Sequence, residues 1–227
     1  MVPAPHEQHG DVRRLVLDAA MAIITLEGAD SLSMREVARR AGVSHQAPYH
    51  YFGDRSGIFA AISEEGFTGL AQAFRDVHET EMPAAKAGFI AYLNFSREHI
   101  GHFRVMFRND ICGVATHAST QIAADSAFDE LLHMVARITG PDIDANDAFT
   151  FATMLWSLAH GLATLVIDGP LPNKLPPGTD LESQIQSVID LSSHMVALEA
   201  AEMGLLPRRN NSRPKLSGFG ISPLSFG

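Results

Sequence analysis

Residues 33–55, SMREVARRAGVSHQAPYHYFGDR, constrain the fold more than any other stretch, because they hold two helix signals with a tight turn between them. Ser33 is a good N-cap, and Glu36 three residues on completes a capping box. Met34, Val37, Ala38 and Ala41 give the first helix an apolar, small-residue side, and the small Ala38 lets a second helix cross closely. Gly42 ends the helix where φ > 0 is needed. Val43 then plugs the corner, and Ser44 caps a second helix running through Tyr49 to Phe52. Ala, Gly and a buried apolar residue at these offsets mark a helix-turn-helix, whose second helix is shaped for the major groove of DNA.

The run GVSHQAPYHYFGDRSGIF resembles the DNA-binding signature of the TetR family of transcriptional regulators. That pattern has Gly-Val-Ser at the turn, Tyr-x-x-Phe in the recognition helix and a basic residue opening the next helix. This chain has Gly42-Val43-Ser44, Tyr49 to Phe52, and Arg55. It departs at Pro48, where the family usually has Leu, Val or Ile. Pro is apolar enough to pack there, and its missing N–H costs little at the first helical position and more deeper in.

The chain has 227 residues, enough for one large or two small domains. Its single cysteine, Cys112, excludes an internal disulfide framework and a multi-cysteine zinc site. No run of about 18 apolar residues is visible, so no membrane span is expected. The N-terminus MVPAPHEQHG lacks an apolar signal segment. A cytoplasmic protein is the simplest reading.

The net charge of −9 is unusual for a DNA binder. Sorted by region, residues 1–60 hold six arginines and seven acids. Residues 61–202 hold seven basic and 19 acidic residues, and residues 203–227 hold four basic and none acidic. The acidity therefore lies away from the helix-turn-helix, where local charge decides docking.

In chain order, residues 1–10 read as a loose arm, and a helix follows from about Asp11 to Leu26, with Leu15, Ala19, Ala22, Ile23 and Leu26 at helical spacing. Arg13 and Arg14 near its start can reach DNA backbone or lie on the solvated surface. Asp54 caps a helix running to about Val77, and Pro83 opens another carrying Phe89, Ile90, Leu93 and Phe95. Residues 100–107 form a short apolar piece, and 109–117 a connection. Helices over 118–138, 147–167 and 180–203 complete the set. Residues 204–227, rich in Pro, Gly, Ser, Arg and Asn, read as a disordered tail.

The expected architecture is all-α, about nine helices. The helix-turn-helix head covers 11–56, and a helical ligand-binding and dimerisation body covers 57–203. The two long apolar helices at the end of the body suit a homodimer with a four-helix interface, as in TetR-like proteins. Trp156, His160 and Gly161 resemble the Trp–His–Gly signature of one TetR C-terminal subgroup.

Base reading needs side chains at the exposed start of the recognition helix, and docking needs phosphate partners around it. His45, Gln46 and Ala47 lie in that first turn. Gln46 can make the bidentate contact that suits adenine, the Ala47 methyl suits thymine, and His45 and His50 can donate or accept. By resemblance, Tyr49 and Tyr51 match phosphate-contacting positions, Arg55 a basic phosphate clamp, Ser33 a phosphate-binding hydroxyl and Arg35 a residue that reaches a guanine edge. Ser44 belongs to the same set. The alternative for the tyrosine pair is packing, with Tyr49 the first candidate.

The resemblance also implies a ligand pocket in the body whose occupation re-spaces the two heads and releases the DNA operator. Candidates are Phe89, Tyr92, Leu93, Phe103, Met106, Met154, Trp156 and His160, a mostly apolar set with a few polar anchors. Ordinary core packing is the competing reading for each. Trp156 and His160 are four apart and share a helix face. The implied effector is a small hydrophobic or aromatic molecule. No cofactor or metal is expected: His99 and His102 could share a face, but no HExxH or Cys/His ligand pattern supports a metal site. No GxSxG and no Gly-rich phosphate loop is present, so an enzyme is not expected. A regulator without a small-molecule ligand, and a helical binding protein that retains the head fold, are the alternatives.

Overall fold

A computed structural model of the chain describes residues 5–204. Ten α-helices and three 3-10 turns make up the described residues, with no strand among them. The all-α expectation holds. The expected tail lies outside the described residues except Gly204, as do the first four residues of the expected arm. The rest of that arm is helical, because helix α1 spans Pro5–Glu27. A proline in the first turn forfeits an N–H that has no helical partner anyway.

The chain forms two compact units. The first takes residues up to Thr68 together with His99–Ala124, and the second takes Gly69–Glu98 and the residues from Asp125 on. In the first unit α1 packs on α2 (Met34–Ala41), α3 (Ala47–Phe52) and α6 (Ile100–Met106). The buried face of α1 is Val16, Leu17, Ala20, Ile23 and Ile24, whereas Leu15 and Leu26 are exposed, Leu26 to 77%. Of the stripe expected from the sequence, Ala19 and Ile23 are buried, whereas Leu15, Ala22 and Leu26 are exposed. Two apolar stripes at helical spacing coexist on this helix, and only contact with α2, α3 and α6 decides between them. Ile58, Phe59 and Ile62 of α4 (Arg55–Asp76), with Val105 and Met106 of α6, complete this core.

Residues 109–117, expected as a plain connection, contain the short helix α7 (Asn109–Cys112) and a 3-10 turn over Val114–Thr116. Gly113 separates them at φ 53. Helix α8 (Ala118–Thr139) begins in the first unit, where the Thr120 hydroxyl donates to the Ala60 carbonyl (3.1 Å) and Ser119 donates to Glu64 (2.7 Å).

In the second unit α5 (Ala84–Glu98) packs against both α9 (Ala145–Ile167) and α10 (Leu181–Glu202). Asp144 caps α9 by accepting from the Asn146 N–H (2.8 Å), and Asp180 caps α10 by accepting from the Ser183 N–H (2.9 Å). Gly88 lets Met134 of α8 close onto α5, since a Cβ there would lie 2.1 Å from the Met134 sulfur. Ion pairs Lys86–Asp190 and Arg97–Glu182 flank the α5–α10 contact.

By length and composition α9 could cross a membrane, with mean hydropathy 1.5 over its most apolar window, and only a third of that window is buried. As expected, α9 holds no unbroken apolar run of about 18 residues; it is the average over the helix that is high. Thr, Ser and His interrupt the run by eye, but the Phe, Leu and Ala around them carry the average. Helix α10 is apolar on two sides: Ile185, Ile189, Val196 and Ala200 are buried, while Leu191, Met195 and Leu198 lie exposed three and four residues apart.

Candidate DNA-docking site

Ser33 caps α2, its hydroxyl accepting from the Glu36 N–H (3.3 Å). The reciprocal half of the capping box is absent. The Glu36 carboxylate turns to its own helix, accepting from Arg39 (2.6 and 2.8 Å) and from Arg40 (2.7 Å). Gly42 is left-handed at φ 67. Around it the Gly42 N–H donates to the Arg39 carbonyl (3.3 Å) and the Val43 N–H to the Ala38 carbonyl (3.1 Å), which stops the helix with its last carbonyls satisfied.

The second helix does not start at Ser44. A turn closed by the Ala47 N–H on the Ser44 carbonyl (3.0 Å) comes first, and α3 begins at Ala47. Pro48 explains the delay: it lacks the N–H that a helix capped at Ser44 would use. In α3 Pro48 sits in the first turn and is buried, filling the interior position that the resemblance assigns to a branched aliphatic residue.

After α3 the chain reverses within three residues. Gly53 adopts φ 73, ψ −63, and the Asp54 N–H donates to the Phe52 carbonyl (2.8 Å), a tight turn that only glycine adopts without strain. Asp54 then caps α4 by accepting from the Gly57 N–H (3.0 Å).

This geometry exposes Ser33, Arg35, Ser44, His45, Gln46, Tyr49 and His50 and leaves Ala47, Tyr51 and Arg55 half-buried. Arg35, His45 and Tyr49 line one surface depression of about 320 Å³. Tyr49 is half exposed, so of the two tyrosines it is Tyr51, edge-on to His50 at 5.0 Å, that is partly packed. Arg55 is drawn inward: its guanidinium donates to the Ala29 carbonyl (2.8 Å) and lies 5.0 Å over the Phe59 ring. Arg13 sits over Phe52 at 5.2 Å, and Arg14 pairs with Asp18 and Glu65.

The ligand candidates divide between the units. Phe103 and Met106 belong to the first, where Phe103 meets Phe107 at 6.1 Å and Met106 covers Gly66. Phe89, Tyr92 and Leu93 on α5, with Met154, Trp156 and His160 on α9, belong to the second. There the Tyr92 hydroxyl lies 2.8 Å from His160 Nδ1, and Trp156 hydrogen-bonds the same tyrosine. Indole can only donate, so the Tyr92 oxygen accepts from Trp156, and the same hydroxyl shares the next hydrogen bond with His160 Nδ1. Burial pushes the Tyr92 phenol upward and His160 downward, so both are neutral near pH 7. Tyr92→Phe removes the middle of this chain and is expected to cost about 1–2 kcal/mol of stability in denaturant unfolding. Among the described residues no group of three His, Cys, Asp or Glu has metal-binding spacing.

A three-helix head carrying a helix-turn-helix, continued by a helical body, defines a DNA-binding regulatory protein. Residues 16–62 match the family model described as bacterial regulatory proteins of the tetR family, and residues 85–190 match the tetracyclin repressor-like C-terminal domain. The Trp156, His160 and Gly161 motif lies inside the second match. The chain belongs to the tetR family.

Among relatives, it is 33% identical to the transcriptional regulator BetI 2 of Chromohalobacter salexigens over 39% of this chain and 44% of that one. It thus spans less than half of that relative. It is 24% identical to the transcriptional activator FasR of Mycolicibacterium smegmatis over 70% of this chain and 74% of that one. A solved protein of unknown function from Rhodococcus sp. RHA1 superposes with a TM-score of 0.66 at 29% identity, over 83% of this chain and 94% of that one. The TetR regulator PfmR from Thermus thermophilus superposes at 0.59, 17% identity, over 81% of this chain and 97% of that one, which speaks for the fold alone.

Proposed function

We propose that the protein is a homodimeric transcriptional repressor of the cytoplasm that binds a palindromic DNA operator and leaves it when a small hydrophobic or aromatic ligand occupies the second unit. The observation that carries the DNA half is the exposed set Arg35, His45, Gln46, Tyr49 and His50, presented by two short helices and the turn between them that Gly42 fixes. Gln46 reads a base edge and Tyr49 meets phosphate, with Ser33, Ser44, Ala47 and Tyr51 around them. Arg55 acts by tying α4 to the Ala29 carbonyl, so Arg55→Ala reports on the stability of the head as well as on phosphate contact. The dimer half is supported by the outer stripes of α9 and α10. Leu158 and Leu165 of α9 flank Gly161, beside which nothing lies within 4 Å, and Leu191, Met195 and Leu198 line α10. Assigned to a second copy, these stripes also account for the apolar composition of α9. The ligand half is supported by the Trp156–Tyr92–His160 chain, a neutral polar anchor in an apolar interior.

The test is a binding titration with Gln46→Ala. Affinity for the selected operator is expected to fall by about 1–3 kcal/mol, with preference relaxed at one base pair and binding to random duplex unchanged. Equal losses on both duplexes would remove Gln46 from base reading.

A further inference from the structure

The head has six arginines, yet almost none is offered to a polyanion. Arg13 is spent on Phe52, Arg14 on Asp18 and Glu65, and Arg55 on the Ala29 carbonyl. Arg39 and Arg40 both converge on the single carboxylate of Glu36, and Arg40 also reaches Glu27. Arg35 alone is exposed in the depression with no ion pair among the described residues.

Arg35 and Arg39 are four residues apart on α2, so they share one helix face. Arg39 would stand one turn along from Arg35 if nothing held it. Its side chain is 67% exposed, and an exposed pair of this kind adds little to stability. The larger consequence is electrostatic. Non-specific duplex affinity depends on how many phosphates are neutralised, with a salt slope of about 0.9 per contact. The Arg39 guanidinium, held by Glu36 alone, is one such contact withheld, whereas Arg40 is held by Glu27 as well.

Resting on the docking role of α2 and α3, we propose that Glu36 is an internal stand-in for phosphate that withholds Arg39 from random DNA and thereby sets the specificity of the head. The two guanidiniums hold the Glu36 carboxyl down at about 2, so the device stays charged at any physiological pH. Sequence discrimination is then left to Gln46, His45 and His50, while sliding on non-specific duplex is kept weak.

The experiment uses the full chain and compares wild type, Glu36→Gln and Glu36→Gln/Arg39→Ala on a random 30-base-pair duplex and on the selected operator, with salt titrations and melting curves. Glu36→Gln is expected to bind random duplex about 10-fold tighter at 0.1 M salt, with a salt slope steeper by about one, while operator affinity gains less. The added Arg39→Ala is expected to abolish the gain. Glu36→Ala, which removes the acceptor altogether, is the second variant and is expected to gain in the same way. A folded Glu36→Gln with unchanged random-duplex affinity and slope, in a protein that binds its operator, would overturn the proposal. So would a gain that survives Arg39→Ala, since the freed Arg39 guanidinium would then not be its source. Failure of wild type and variants to bind any duplex at low salt would instead remove the docking reading and this inference with it.

Discussion

Gly57→Ala is expected to lower the melting temperature by roughly 6–12 °C and to abolish operator binding, because the head cannot close around an added methyl. Gly57 lies in the first turn of α4, directly beneath the end of α3. A Cβ built on it would stand 2.0 Å from the Phe52 carbonyl oxygen and 3.0 Å from its carbon. Those are backbone atoms and cannot swing aside as a side chain could. The carbonyl is also engaged, since it accepts from the Asp54 N–H in the Gly53 turn that aims α3. Relieving the overlap means moving α3 away from α4, which disturbs the packing of Pro48 and the display of Gln46 and Tyr49. Overpacking of this kind costs about 3 kcal/mol, which in a chain of this size corresponds to the stated shift. Thermal unfolding followed by far-UV circular dichroism measures it. A variant melting with the wild type would mean that the turn between α3 and α4 is wider than described.

Leu191→Glu is expected to leave the fold intact and to split the dimer. Leu191 is 61% exposed in the single chain, so the new carboxylate is solvated when the protomer is alone. It would be buried only where α10 meets a partner, and an unpaired buried carboxylate is costly. One substitution places two such charges in a twofold interface. Sedimentation is expected to give the mass of one chain at micromolar concentration where wild type gives that of two, with an unchanged circular dichroism spectrum. Operator affinity is expected to fall by about 100-fold or more, since two linked heads gain that much over one. A Leu191→Glu protein that still sediments as a dimer would move the interface off the outer stripe of α10.

What could be read from the chain alone was what local chemistry dictates. Gly42 between two apolar patterns required a left-handed turn, and Asp54 sat where a helix cap belongs, so these features were legible one residue at a time. The start of α3 was not, because Ser44 is a good cap and only the missing N–H of Pro48, four residues later, overrules it. The phase of α1 was ambiguous for a different reason. Leu15, Ala19, Ala22, Ile23 and Leu26 form as regular a stripe as Val16, Ala20, Ile23 and Ile24, and burial is decided by helices that lie elsewhere in the sequence. The inward turn of Arg55 depends on the Ala29 carbonyl 26 residues away, and the Arg14–Glu65 pair joins residues 51 apart. Neither leaves a local signal. The partners of Glu36 are the opposite case: a glutamate with arginines three and four residues on is visible in the sequence, but the capping-box reading took the same carboxylate for another purpose. In the second unit, Trp156 and His160 were paired by spacing, while Tyr92 joined them only through the packing of α5 on α9.

The central claim, that two copies of this head read one DNA duplex, is tested most directly by selecting from a random duplex pool with the intact protein and then measuring stoichiometry on the winning sequence. The expected result is a palindrome whose half-sites are about one helical turn, or a multiple of it, apart, bound by an even number of chains and lost steeply with added salt. Enrichment of no sequence at low salt, or of a single unpaired half-site bound by one chain, would contradict it.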